Sequence, residues 1–161
     1  MYGATDEAYI ADIYYAASAQ IVAKAAEVLG LEETRQEYQK IADRQWQVVK
    51  EEYFTATGRC AVKTQTGLIL ALKYHLSENE ELTKQMLQKL LRDNKNKLNT
   101  GFVGTPLLCN VLTDHGMTDA AYRLLLNKEY PGWLHEVKLG ATTVWEPVSY
   151  THLTLPTKLE V

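Results

Sequence analysis

An almost uninterrupted apolar stretch, LILAL at residues 68–72, lies inside KTQTGLILALKYHL and is followed directly by the charged segment SENEELTKQMLQKLLRDN. A helix that is apolar nearly all round has to be covered on every side, whereas an amphipathic one can leave a face in water. The pair therefore predicts a helical hairpin with an inner and an outer member. Ser77 and Glu80 have capping-box spacing and are expected to open the outer one.

The same alternation recurs on either side. From Thr5 to Leu29 the residues Tyr9, Ile13, Ala17, Ile21 and Ala25 repeat at four-residue spacing, and Gly30 stands where a left-handed terminating residue is expected. Residues 31–54 carry Tyr38, Ile41, Ala42, Val48 and Val49 among glutamate-rich positions, and the pattern breaks at TATGR. After KLNTGFVG, Thr105 and Pro106 read as the cap and first residue of the helix PLLCNVLTDH, which Gly116 ends. Thr118 then caps DAAYRLLLNK, and GATTVWE lies where a fourth apolar helix would begin. The expected fold is all-α: three hairpins in an architectural rather than a strict sequence repeat, with an inner and an outer ring.

In such a ring the loops RCAVKTQTG, NTGFVGTP and LGATTVWE open at the same end. Thr64, Thr66, Thr100, Thr105, Thr142 and Thr143 would crowd one mouth, towards which the inner helices point their free amides and positive dipole ends. A functional site is expected there.

Composition narrows the function classes. The chain of 161 residues has 46% apolar and 23% charged residues, an ordinary packed composition, and its net charge of −3 lacks the basic stripe of a nucleic-acid binder. LILAL is far too short to span a bilayer, so no membrane partner is expected, and a soluble, cytoplasmic chain is. Cys60 and Cys109 form neither a disulfide framework nor a metal spacing, and Cys109 reads as a plain core residue. His75, His115, His135 and His152 are scattered along the chain, so neither a metal nor another cofactor is expected. GFVG lacks the lysine and serine of a phosphate loop, and no G-x-S-x-G elbow exists.

Two features remain. Trp133 and Trp145 could offer flat faces to sugar rings, or could pack as core or loop aromatics. Glu146, in TTVWEP, stands among Trp, Val and Pro rather than on a charged helix face. There a carboxylate would be partly desolvated, which makes it a candidate general acid or base, or else a helix N-terminal carboxylate.

The run TGFVGTPLLCNVLTDHGMTDAAYRLLLNKEYPGWLHEVKLGATTVWE, residues 100–146, resembles the C-terminal half of the catalytic domain of bacterial α-L-rhamnosidases, six-hairpin glycosidases with an (α/α)6 barrel. YYAASAQIVAKAAEVLG and GRCAVKTQTGLILAL are also similar to that family, so the resemblance covers residues 2–146. It implies about half of an (α/α)6 barrel over 1–146 and, for the parent enzyme, inverting hydrolysis of terminal α-L-rhamnosides. The partner implied is a rhamnose-containing glycoside.

The family's water-activating base is the glutamate of its TT-aliphatic-WE motif, which aligns with Glu146, and the resemblance marks Trp145 and Phe102 as substrate-binding residues. Inversion needs a second carboxyl group about 6.5–9.5 Å away. The family's acid lies upstream in an Asp- and Arg-rich segment that nothing in this chain matches, so this fragment is expected to be inactive alone and to self-associate through an exposed apolar face. The tail PVSYTHLTLPTKLEV, 147–161, departs from the family and reads as foreign or disordered sequence, or as a small β-extension from its Thr/Leu alternation. The reading from another class is a non-catalytic helical-hairpin scaffold that binds a protein or glycan at its loop end.

Overall fold

The computed structural model describes residues 4–143, and these form seven helices: α1 (Glu7–Val28), α2 (Glu32–Tyr53), α3 (Gln65–Lys73), α4 (Glu80–Asp93), α5 (Gly101–Asp114), α6 (Thr118–Leu125) and α7 (Trp133–Lys138). Helices α1 and α2, α3 and α4, and α5 and α6 pack as three successive hairpins, and α3 also touches both α1 and α5. Among the described residues the β pairing consists of one isolated bridge, Phe54 to Cys60, at the exit of the first hairpin. The all-helical expectation holds over this span. The tail at 147–161 lies outside the described residues.

Helix α3 is the axis of the arrangement. Every residue from Gln65 to Leu72 is buried, as its apolar composition demands. Leu68, Ile69 and Leu72 join Leu87 and Leu91 of α4, Leu108, Val111 and Leu112 of α5, and Leu124 of α6 in one cluster. Leu70 turns the other way, into a smaller cluster with Tyr9, Ile13 and Val49 of the first hairpin and with Leu76.

The buried face of α1 departs from the expected one. Tyr9, Ile13 and Ala17 are buried, but the face continues through Ala16, Ala19, Ala23 and Ala26, while Ile21 is 67% exposed. A four-residue step overshoots a 3.6-residue turn by about 40°, so a strict i+4 series walks off its face within three or four steps.

Three helix starts also differ. Asn79, rather than Ser77, caps α4, its Oδ1 accepting from the Leu82 amide at 3.0 Å. Ser77 is used elsewhere. Its hydroxyl donates to the Gly58 carbonyl at 2.6 Å and accepts from the Asn79 amide, tying the connection after the first hairpin to the turn inside the second. Gly58 has φ +77°, and a Cβ there would lie 2.7 Å from the Asn79 nitrogen, so this crossing requires glycine.

Helix α5 starts at Gly101, well before Thr105, and carries Pro106 inside it. The proline removes one hydrogen bond, which would have ended on the Phe102 carbonyl in the first turn. Thr105 holds that turn instead by donating its hydroxyl to the Gly101 carbonyl at 2.6 Å. Met117 rather than Thr118 occupies the cap of α6, and its side chain is buried beneath the helix. The short helix α7 arises in a stretch to which the sequence pattern assigned no element, and Trp133, its first residue, packs half-buried against the larger cluster.

Candidate functional site

Thr64, Thr66, Thr100 and Thr105, four of the six threonines expected at one mouth, come together at the N-terminal ends of α1, α3 and α5, and Thr5 joins them. The Thr5 and Thr64 hydroxyls meet at 2.7 Å, joining the start of α1 to the start of α3. Thr64 caps α3 by accepting from the Gly67 amide at 3.0 Å. The Thr66 hydroxyl donates to the Thr100 carbonyl, the Thr100 and Thr105 hydroxyls lie 2.7 Å apart, and Thr105 donates onward to Gly101. Because Thr105 spends its single proton on Gly101, Thr100 is the donor of that pair. Thr66 of α3 thus anchors the Thr100 backbone, and a separate run of hydroxyls leads from Thr100 through Thr105 to Gly101 in the first turn of α5.

Packing at this end is close enough to require a small residue. A Cβ on Gly104 would stand 2.5 Å from the Thr66 hydroxyl oxygen and 2.9 Å from Thr100 Cβ, so the first turn of α5 lies directly on α3. Beneath it, the buried Tyr9 hydroxyl donates to the Gly67 carbonyl at 3.0 Å, holding α1 against the same turn of α3. Burial pushes the Tyr9 phenol far above its ordinary range.

Sequence reasoning missed Gln65. This buried side chain donates to the Lys97 carbonyl at 3.0 Å and accepts from the Asn99 amide at 2.9 Å, so one amide group satisfies both a donor and an acceptor of the loop entering α5. Its signal was a polar residue heading an otherwise apolar helix, where an unpaired amide would be costly. Gln65 and Asn99 also line a shallow cleft of about 220 Å³ with Leu90, Asp93 and Asn94. A larger cleft of about 430 Å³ lies at the far end of α3, bordered by Lys24, Trp46, Lys50, Lys73 and Tyr74.

Of the sequence-predicted site residues, Phe102 sits at the mouth, in the first turn of α5, and is 92% exposed. Trp145 and Glu146 lie outside the described residues. The chain returns to the mouth end before reaching them. Asn127 donates to the Asn96 carbonyl at 2.7 Å, Lys97 pairs with Glu129 at 3.0 Å, and the Leu98 amide donates to the Pro131 carbonyl. These contacts bind the α6–α7 connection to the loop that enters α5.

Two histidines that sequence spacing treats as unrelated are neighbours. His75, just after α3, and His115, at the end of α5, have ring centroids 6.0 Å apart, with Glu80 between them. They lie at the opposite end of the inner helices from the threonine mouth. Burial pushes both the Cys60 and the Cys109 thiol up, and Cys109 is half-buried against the core rather than fully inside it.

Residues 1–155 match the family described as the bacterial alpha-L-rhamnosidase 6 hairpin glycosidase domain. The chain is similar to an α-L-rhamnosidase of Formosa agariphila, at 38% identity over 147 residues covering 89% of this chain, and to one of Alteromonas sp., at 34% over 148 residues. It spans 16% of the length of each of these relatives. Among solved structures, the native rhamnosidase of Aspergillus terreus superposes with TM-score 0.83 at 31% identity, covering 88% of this chain and 17% of that one. The Streptomyces avermitilis α-L-rhamnosidase complexed with L-rhamnose superposes at 0.79 with 34% identity, covering 86% and 13%. Three inner-and-outer hairpins in series and a family match over nearly the whole chain lead to one assignment: the protein belongs to the six-hairpin glycosidase domain family of the bacterial α-L-rhamnosidases.

Proposed function

We propose that this chain supplies the water-activating half of an inverting α-L-rhamnosidase site, with Glu146 as the general base and Trp145 and Phe102 contacting the sugar. The observation that carries the reading is the threonine-lined mouth, which collects the N-termini of three inner helices and sets the exposed Phe102 at its rim. Helix starts, whose first amides have no partner within the helix, suit the hydroxyl groups of a deoxysugar, and an aromatic face suits its apolar side. In the inverting reaction a carboxylate draws a proton from water as it attacks the anomeric carbon, while a second carboxyl group protonates the departing oxygen. On this reading the second group comes from the part of the enzyme that this chain does not span, so the chain alone does not turn over.

The rest of the barrel would also cover α1, where Tyr15, Val22 and Leu29, seven residues apart, are 57%, 38% and 71% exposed. Without that cover, the stripe should drive self-association. Both free cysteines fit a reducing compartment, and the proposed location is the cytoplasm. No helix among the described residues is long and apolar enough to cross a membrane.

The test places residues 1–146 in the Streptomyces avermitilis rhamnosidase in exchange for the matching segment and follows hydrolysis of an aryl α-L-rhamnoside. The chimera should release rhamnose with inversion, and Glu146→Gln should lower its rate by about 10²- to 10⁴-fold, the usual worth of one acid/base group. An unchanged rate in Glu146→Gln would remove the base assignment. Rhamnose release by the isolated chain at a comparable rate would remove the shared-site reading.

A further inference from the structure

We propose that His75, Glu80 and His115 form a binding site for a divalent transition-metal ion of the zinc class, which braces the second hairpin to the third at the end remote from the threonine mouth. The three side chains come from different elements: His75 follows α3, Glu80 opens α4 and His115 ends α5. One ligand atom from each lies within 4.8 Å of the others. Glu80 stands between the rings, one carboxylate oxygen 2.6 Å from His75 Nδ1 and the other 3.9 Å from His115 Nε2.

The second contact carries the argument. His115 Nδ1 lies 2.8 Å from the Val111 carbonyl, which can only accept, so Nδ1 carries the proton. That leaves Nε2 as the ring's outward nitrogen, aimed at a carboxylate oxygen of Glu80. The two atoms stand 3.9 Å apart, too far for a hydrogen bond, which leaves room for a cation that draws on both. An imidazole whose other nitrogen donates to a backbone carbonyl is also the usual orientation of a metal-ligating histidine.

Zinc bonds to nitrogen and carboxylate oxygen of about 2.0–2.2 Å place tetrahedral ligands roughly 3.3 Å apart, so closure requires movements of about an ångström. His75 and Glu80, with side chains 71% and 37% exposed, have the freedom to make them, while His115, at 12%, is the fixed ligand. On binding, the proton on His75 Nδ1 passes through water to Nε2 of the same ring, leaving Nδ1 as the ligand. Two imidazoles and one carboxylate leave a fourth position for water, and this mixed nitrogen and oxygen set favours zinc, cobalt, nickel or copper over calcium or magnesium.

The backbone prepares the ligands. His75 sits at φ +52° in the left-handed residue that ends α3, its amide donating to the Leu72 carbonyl while that of Leu76 reaches Ala71. This turn directs the ring away from the helix it follows and towards Glu80.

The experiment uses the 161-residue chain stripped with chelator and titrated with Zn²⁺ by calorimetry, with thermal unfolding and Co²⁺ absorption in parallel. One ion should bind per chain, and at a hundredfold excess over Kd the Tm should rise by about 5 °C or more and fall back with chelator. His75→Ala and His115→Ala should each weaken binding at least about tenfold, and the Co²⁺ bands of a low-coordinate site should vanish with either. If His115→Ala fails to fold, the exposed His75→Ala carries the test alone. Failure of the wild type to bind one ion overturns the proposal, as does unaltered affinity in His75→Ala, which would put the ion on other side chains. Rhamnosidase activity plays no part in the readout.

Discussion

Helices α1 and α3 are both inner members of their hairpins, yet they meet different surroundings. In α3 eight consecutive residues are buried, because α4 covers one side and α1 and α5 flank the others. Helix α1 buries a stripe running from Tyr9 to Ala26 and leaves Tyr15, Val22 and Leu29 in solvent. Apolar residues on an inner helix therefore record a demand for cover, and the number of flanking hairpins decides whether it is met. A ring makes that demand at every position, whereas three hairpins in series meet it fully only at the middle one.

The largest expected effect contrasts these helices directly. Ile69 is fully buried in the main cluster, so Ile69→Ala should cost about 2–5 kcal/mol in urea unfolding, the transfer term plus the cavity it leaves. Val22→Ala, on the open stripe, should stay within about 0.5 kcal/mol. If the two substitutions cost alike, α1 is covered in solution and the contrast is broken. A concentration-dependent midpoint for the wild type that Val22→Ala removes would then identify a second copy as the cover.

A smaller effect separates polar groups that hold the fold from polar groups that decorate it. Gln65→Leu keeps the size of the side chain but leaves the Lys97 carbonyl and Asn99 amide without their partner, and should cost about 1–3 kcal/mol. Gln47→Leu removes an exposed link to Glu51 on α2 and should change stability by less than about 0.5 kcal/mol. Amide hydrogen exchange at Asn99 sharpens the test, since it should accelerate in the first variant alone. Equal costs would mean that the α4–α5 loop is held by Asn94 and the threonine hydroxyls without Gln65.

How much was legible in the sequence follows the same division. The hairpin order and the buried character of α3 could be read because a wholly apolar segment admits few environments. The gathering of Thr64, Thr66, Thr100 and Thr105 followed from topology, since loops that precede inner helices share an end. The α1 face went wrong beyond Ala17 because alanine-rich helices offer little contrast between faces, and Ser77 was misread because a cap and a buried turn hydroxyl have the same local signature. His75 and His115 were unreadable as a pair: forty positions separate them, and the register of α3 against α5 alone brings them together. Phe102 lies exposed in the first turn of α5, while the structural settings of Trp145 and Glu146 are not part of the described span.

The smallest effect concerns the lock between the compared helices. The Tyr9 hydroxyl reaches from α1 to the Gly67 carbonyl of α3, and the Tyr53 hydroxyl donates to Asp12 Oδ2 at 3.1 Å within the first hairpin. Burial raises both phenols, and the Asp12 carboxylate adds to the rise at Tyr53, which is pushed up to about 12. A phenol whose folded pKa exceeds its unfolded value of about 10 contributes stability that is fully present below pH 10 and is lost as pH climbs through the folded value. Tyr9→Phe should therefore cost about 0.5–1.5 kcal/mol at pH 8, the net worth of one hydrogen bond, and less with each step above pH 10. Urea midpoints of wild type and variant measured from pH 8 to 11.5 should converge. A gap that stays constant across that range would mean that Tyr9 ionises as easily in the fold as in the unfolded chain.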